Sequence, residues 1–456
     1  MRLHKHAALL LTLLTAGALL CRPAHADKDD DLWIESHYIT QCSCSAANDT
    51  VGRIDPRLPV FGVLNDWRIG NGHADFVRPG EAAIGAVGLL VGYHQLVTDK
   101  RSSPDLDAKA RAALSGFFQG WVLNSGNQIN RSDGAHPRIG FPVQIAYGES
   151  GRVSSKDPDA NVGVSAEMLI ALWKYVQLSP NGDRDTYRAK QFGLAHKVAD
   201  YINGKVGGDG LVHDNFGNAY VLDNSYAVAA FHSFARWAQA EGDAGTAKYF
   251  DGQADKVSAA LGGLQDPGPW HNYRRFKDAA TGRAGYNGVM DQTGFAPYEF
   301  DARPLSEGYA KPLARWWDTG RSWHQTPTQQ TGALLGGVHQ QDYQNDATYR
   351  ATPDGRYLYP GTALQLAAAE WKIAHATGNA DNLDARARSH YDFARRNKFW
   401  NADRHLDSVI GGFNDWVNPA DGSQQPETYK RFVDTSAYFI FASEMLEFSH
   451  DVDFAE

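Results

Sequence analysis

Apolar residues recur at helical spacing through most of the chain, and the stretches that carry them come in pairs. Residues 80–98 and 105–124 are joined by Ser102-Ser103-Pro104, and 162–178 and 184–203 flank Pro180-Asn181-Gly182. The stretches 223–241 and 243–262 meet at Glu241-Gly242-Asp243, and 362–377 and 380–397 meet at Gly378-Asn379. A less regular pair covers 306–319 and 326–341, and a last strong stretch runs over 434–448. Helices of this length joined by tight turns predict antiparallel hairpins.

The spacing of the pairs adds topology. First members begin near residues 80, 162, 223, 305, 362 and 434, separated by long segments at 125–160, 204–222, 263–304, 342–361 and 398–433. Those segments are rich in Gly, Pro, Asn, Asp and aromatic residues, with short strand-like runs such as Gly210-Leu211-Val212-His213-Asp214. Tight turns on one side and long loops on the other predict a closed ring of hairpins elaborated at one end, and long loops in a compact domain are usually functional. A weak internal echo fits the repeat. Val221-Leu222-Asp223-Asn224-Ser225 lines up with Phe432-Val433-Asp434-Thr435-Ser436, and Val162-Gly163-Val164-Ser165-Ala166-Glu167 shares the frame with Gly in place of Asp. Each lies at a helix start, where small residues let neighbouring helices approach closely.

Residues 1–26 read as an export signal: Arg2 and Lys5, an apolar run over 7–20, and Ala24-His25-Ala26 before Asp27. The mature protein is expected in the periplasm or outside the cell, with 27–60 as an extended lead-in and 61–456 as a single domain. Cys42 and Cys44 are the cysteines beyond the signal, as a local staple or as free thiols.

Six helical hairpins, tight turns alternating with long aromatic loops, and the signal together resemble the six-hairpin (α/α)6 toroid. That superfamily holds glucoamylase-like hydrolases, other glycosidases and several polysaccharide lyases. The resemblance spans about residues 60–450 and rests on architecture and composition, with no single family matched residue by residue. It implies an all-α toroid acting on carbohydrate.

Composition narrows the chemistry. There are 53 acidic and 44 basic residues, for a net charge of −9, and no compact Lys/Arg block, which argues against nucleic acid as a partner. No later stretch reaches the length of a membrane span. The His-Glu-x-x-His zinc helix, the phosphate-binding Gly-rich loop, the Gly-x-Ser-x-Gly elbow and the dinucleotide fingerprint are all missing from the sequence. No organic cofactor or metal is implied. The run Asp157-Pro158-Asp159-Ala160-Asn161 reads as a helix N-cap cluster in preference to a calcium loop.

Sugars present apolar faces and a rim of hydroxyls, so their sites combine aromatic platforms with planar polar groups. The loops supply Trp67, Tyr147, Tyr220, Trp270, Tyr273, Trp323 and Trp416 for this, with His213, His271, Arg274, Glu149 and Asp415 as polar partners. Glycoside hydrolysis needs two carboxyl groups about 5–9.5 Å apart across the scissile bond. Asp223 and Asp434 begin helices that face the expected pocket, although Asp is also a favoured N-cap. Glu299 and Asp301, in Gly294-Phe295-Ala296-Pro297-Tyr298-Glu299-Phe300-Asp301, alternate as on a strand and would face one side. Apolar neighbours there would raise a carboxyl toward use as a proton donor.

The expected activity is therefore hydrolysis of an oligo- or polysaccharide by a pair drawn from Glu299, Asp301, Asp223 and Asp434. Two alternatives stand beside it. One is β-elimination from a uronic-acid glycan, with Tyr or His as base and Arg as the neutralising cation in His271-Asn272-Tyr273-Arg274-Arg275. The other is a non-catalytic glycan-binding protein.

Overall fold

Helices with nearly every face apolar alternate along the chain with amphipathic ones, and this alternation sorts them into two layers. In chain order they are α1 (Pro79–Thr98), α2 (Pro104–Ser115, running on through π-helical turns to Trp121), α3 (Val162–Leu178) and α4 (Arg184–Asn203). There follow α5 (Val221–Ala240), α6 (Ala244–Leu261), the short α7 (Ala296–Glu299), α8 (Pro360–Thr377), α9 (Leu383–Arg396) and α10 (Val433–Phe448). The computed structural model describes residues 31–32, 34–36, 39, 67–68, 76–132, 137–147, 153–180, 184–265, 273, 276–282, 284–285, 295–305, 310, 334–339, 357–378, 382–397, 412–413, 416–418 and 431–454.

Local chemistry fixes the helix ends. Ser103 and Asp243 cap α2 and α6 by accepting the amides of Leu106 (3.2 Å) and Thr246 (2.9 Å). Proline opens α1, α2 and α8, where its missing N–H costs nothing. Gly378, at φ 71°, stops α8 in the left-handed conformation that glycine adopts freely.

Four hairpins form as expected: α1 with α2, α3 with α4, α5 with α6, and α8 with α9. Their first members, with α7 and α10, build the inner layer. α1 packs on α3, α3 on α5, α5 on α7, α7 on α8, α8 on α10, and α10 back on α1, so the ring closes. The outer helices bury one stripe each; on α9 it is Leu383, Ala387, Tyr391 and Ala394. Along α1, Gly85, Gly88 and Gly92 face Val433, Ala437 and Ile440 of α10, and a Cβ on Gly88 would stand 2.6 Å from the Ala437 Cα. Close approach of these two helices requires the missing side chain.

Strands gather at the end of the ring where the inner helices begin. β1 (Trp67–Arg68) pairs with β10 (Arg431–Phe432), while β2 (Phe76–Val77), β5 (Ile145–Tyr147) and β6 (Val153–Lys156) form one small antiparallel sheet. β3 (Ile129–Ser132) pairs with β4 (Pro137–Gly140), and β7 (Ala219–Tyr220), β8 (Phe276–Lys277) and β9 (Ala284–Gly285) form another sheet. Nearly all of them lie in segments that lead into an inner helix, so the elaborated rim is on one side.

Two expectations need correction. Residues 31–32, 34–36 and 39, read as extended lead-in, are helical, and all of them but Ile34 are buried against the ring. Asp31 pairs with Arg395 of α9 at 2.7 Å, and Glu35 accepts the Ser436 hydroxyl of α10 at 2.8 Å. Their polar, acidic composition hid a helix whose buried acids are satisfied by partners distant in sequence. The fourth inner position begins at α7, ahead of the 306 start expected, and residues 334–339 form a turn rather than helix. The remainder of 306–319 and 326–341, apart from Ala310, lies outside the described residues, as do residues 1–30 and both Cys42 and Cys44.

The opposite end is closed by the C-terminal tail. Phe454 is buried against Phe300 and Phe441, and the Ser233 hydroxyl donates to its carbonyl at 3.0 Å. No helix among the described residues is long and apolar enough to cross a membrane.

Candidate active site

The inner helices α1, α3, α5 and α10 converge with their N-termini around a cavity of about 290 Å³. Helical spacing decides which side chains reach it. Asp223 and Tyr226 of α5 are three residues apart, Asp434 and Tyr438 of α10 four, and Gly163 and Glu167 of α3 four, so each pair shares one face of its helix. Glu81 of α1, with Arg78 just before that helix, completes the polar wall; Ile84, Val164, Leu222 and Val143 supply apolar surface.

Two glycines make room for the acids. A Cβ on Gly80 of α1 would overlap the Glu167 carboxyl, and one on Gly163 of α3 would stand 2.5 Å from Asp223 Oδ1. α1 and α3 thus each leave a notch that a neighbouring helix's carboxylate fills. Asn161 caps α3 by accepting the Val164 amide at 3.0 Å, which fixes the turn that carries Gly163 and Glu167.

Four carboxyl groups around one small cavity cannot all ionise cheaply. Burial pushes Glu167 up to about 8 from its usual value near 4.5. The charges of Glu81, Asp223 and Asp434 push the same way, against a hydrogen bond from Tyr226 that favours the carboxylate. Glu167 nevertheless keeps part of its surface on the cavity. Burial also holds the Tyr226 and Tyr438 hydroxyls far above the ordinary tyrosine range, so both remain protonated, hydrogen-bonded to each other. Arg78 is the one cation among the described residues lining the cavity, and it is 2.8 Å from Glu81 in a partly exposed pair. The N-terminal ends of four helices carry partial positive charge, which stabilises negative groups held there. The arrangement offers one carboxyl protonated at neutral pH beside two aspartates at helix N-termini: a proton donor and an acceptor in the same cavity.

Of the acids expected at the site, Asp223 and Asp434 line this cavity. Glu299 does not; it ends α7, is 1% exposed, and lies behind the wall within electrostatic reach of Tyr226 and Tyr438. Asp301 pairs with the fully buried Lys372 of α8. The strand expected to point Glu299 and Asp301 one way is instead a helical turn followed by Asp301 at φ 54°, because Pro297 at the start of α7 favours helix. Burial raises Asp301 to about 7 even with the Lys372 ammonium beside it.

Several expected binding residues do not line the cavity. His213 is held by the Gly217 carbonyl (2.7 Å) and Asp209 (2.9 Å). Tyr220 sits at the N-cap of α5 and does not line the cavity. Tyr273 is fully buried, edge-on to Tyr298 with centroids 6.2 Å apart. Trp416 stacks on Tyr357 at 3.8 Å, away from the cavity wall. The backbones of Trp67 and Tyr147 lie in β1 and β5, and their side chains are outside the described set. Glu149, Asp415, Trp270, His271, Arg274 and Trp323 lie outside the described residues altogether.

Sequence reasoning missed Glu81, Glu167, Tyr226, Tyr438 and Arg78. The signal for Glu167 was present: it ends the echoed frame that begins at Gly163, one helical turn on. Of the run Asp157–Asn161 only Asn161 caps α3; Asp157 accepts the Gln144 amide at 2.8 Å and Asp159 pairs with Arg131. Among the described residues no group of three or more His, Cys, Asp or Glu is arranged to hold a metal ion.

No known family profile matches the chain, and no curated protein sequence does. Solved structures match over nearly its whole length. A D-mannose isomerase superposes with a TM-score of 0.59 at 11% identity, covering 94% of this chain and all of that one. The α-mannanase BT2949 of Bacteroides thetaiotaomicron, from glycoside hydrolase family 76, gives 0.51 at 13% identity, covering 90% and 96%. The cellobiose 2-epimerase of Spirochaeta thermophila gives 0.52 at 12% identity, covering 91% and 97%. Likeness at such low identity speaks to the fold, and with the closed inner ring it gives one conclusion: the chain has the (α/α)6 toroid fold that these carbohydrate-active enzymes share.

Proposed function

We propose that the protein hydrolyses glycosidic bonds of an uncharged oligo- or polysaccharide, with Glu167 as proton donor and Asp223 or Asp434 as the carboxylate opposite it. The observation that carries this reading is the raised titration of Glu167, to about 8, in a cavity it shares with two aspartates at helix N-termini. A carboxyl whose titration is raised by burial, set beside two further carboxyl groups, is the division of labour glycoside cleavage requires. The Glu167 proton passes to the glycosidic oxygen as the C1–O bond breaks. A water oxygen bonds to C1, directly or after attack by the aspartate, and the proton lost by that water returns to a carboxylate. Tyr226, hydrogen-bonded to Glu167, fixes the donor's orientation.

The charge of the cavity argues against elimination. Neutralising a uronate needs a cation; among the described residues lining the cavity the cation is Arg78, which already faces Glu81, and four carboxyl groups share that wall with Asn161, Tyr226 and Tyr438. Like-charge contact disfavours an anionic sugar. Export remains part of the proposal, on the strength of residues 1–26.

Incubation with a panel of neutral and uronate polysaccharides tests the assignment. Hydrolysis predicts new reducing ends without ultraviolet absorbance. An absorbing unsaturated product would establish elimination. Interconversion of free sugars without chain cleavage would place the protein with isomerases or epimerases, and retention on a glycan gel without any product would leave binding alone.

A further inference from the structure

Phe216 is 86% exposed, more than any other large hydrophobic side chain among the described residues. It is not carried on a slack loop. The Asp214 carboxylate accepts the backbone amides of Phe216 and Asn218, both at 2.8 Å, and the Asp214 amide donates to the Asn218 carbonyl at 2.7 Å. Gly217, at φ 84°, takes the left-handed position of this turn, and its carbonyl is held by His213 at 2.7 Å. The Ala279 amide ties down the Asn218 side chain at 3.2 Å. A phenyl ring on so fixed a backbone is preorganised, which lowers the entropic cost of binding against it.

The turn is tied to the segments that build the cavity wall. Asn215 donates to the Ala160 carbonyl at 3.0 Å, and Ala160 precedes Asn161 on the cavity wall. In the other direction the chain runs through β7 into α5, which delivers Leu222, Asp223 and Tyr226 to the same cavity.

We propose that Phe216 is a stacking platform for a further sugar of the chain whose scissile bond lies in the cavity. The apolar CH face of a pyranose matches an exposed ring, and a cavity of about 290 Å³ is at the small end of ligand pockets. A longer substrate would therefore extend onto the rim. This deepens the hydrolase reading and rests on it: the substrate class becomes a neutral glycan of several units, and His213, expected to touch substrate, acts by holding the turn.

The test compares the wild type with Phe216→Ala and Phe216→Trp on manno- and malto-oligosaccharides from two to six units and on their p-nitrophenyl monoglycosides. The alanine variant should raise KM for the longest substrates about tenfold, equivalent to about 1.4 kcal/mol, with kcat unchanged. The monoglycosides should show no effect, and tryptophan should restore the wild-type value. Equal values for wild type and alanine at all lengths, or a uniform loss on monoglycosides and hexaoses alike, overturns the platform. Affinity gels containing mannan or starch separate this from the function itself. A wild type that is retarded but cleaves nothing refutes hydrolysis, and loss of retardation in Phe216→Ala then still supports the platform. A wild type neither retarded nor active on any of these glycans overturns both.

Discussion

Glu167 sets the pH behaviour of the site. Its ordinary value near 4.5 rises to about 8 on folding, so between those limits the folded protein holds a proton that the unfolded chain has lost. Stability from this group is then fully present below about pH 4.5 and falls as pH rises toward about 8. Glu167→Gln should flatten that slope in thermal melts at pH 5, 6, 7 and 8; an unchanged slope would mean that the carboxyl titrates normally. The donor stays protonated up to the same limit, so kcat/KM should decline above about pH 8, and a decline beginning near pH 5 would exclude Glu167 as the acid. Gly80 gives a second test, because a methyl group there would collide with the flexible end of Glu167 while making only ordinary contact with Val164. Gly80→Ala should leave the melting temperature nearly unchanged yet cut turnover about 10²-fold through misplacement of the carboxyl. Loss of stability with full activity would show instead that the notch serves packing. These roles were only partly legible in the sequence. Asp223 and Asp434 stood out as acids at helix starts, but nothing local marks Glu167 as buried, since burial comes from α1 and α5 closing over it. Tyr273 misled for the converse reason: a tyrosine in a loop reads as exposed, and this one is in the core.

At the scale of elements, the inner helices α1, α3, α5, α8 and α10 were legible because their apolar residues run all round and their turns carry Pro, Gly and Asn signals, whereas α7 was not. Boundaries of α3 and α4 match the expected spans residue for residue. The helical residues 31–32, 34–36 and 39 were not legible, because Asp31 and Glu35 look like solvent-facing acids until Arg395 and Ser436 are brought to them. The strand expected at Glu299 failed because alternation over a few residues cannot outweigh a proline favouring a helical start. Helix packing itself makes a prediction. Gly88→Val places two methyl groups against the Ala437 backbone, and overpacking of this kind costs about 1–3 kcal/mol. Urea denaturation should show a lower midpoint with an unchanged slope; a neutral result would mean that α1 and α10 can slide apart freely.

Across the whole molecule, closure of the inner ring is what turns scattered helix starts into one cavity. Asp223 and Asp434 are 211 residues apart in sequence, yet both line it with Glu167 because α10 returns to α1. An open arc of the same helices would leave these acids on separate faces. The described short strands collect at that same end, leaving the C-terminal tail to seal the other, so the ring read from hairpin spacing also positions the cavity. The chemistry of the cavity is most directly tested by following reducing ends over time, on the neutral glycan that the wild type cleaves best, for the wild type and Glu167→Gln side by side. The account predicts steady release by the wild type and, with melting temperature at least maintained, a rate at or near background in the glutamine variant. Release by Glu167→Gln at the wild-type rate would contradict it.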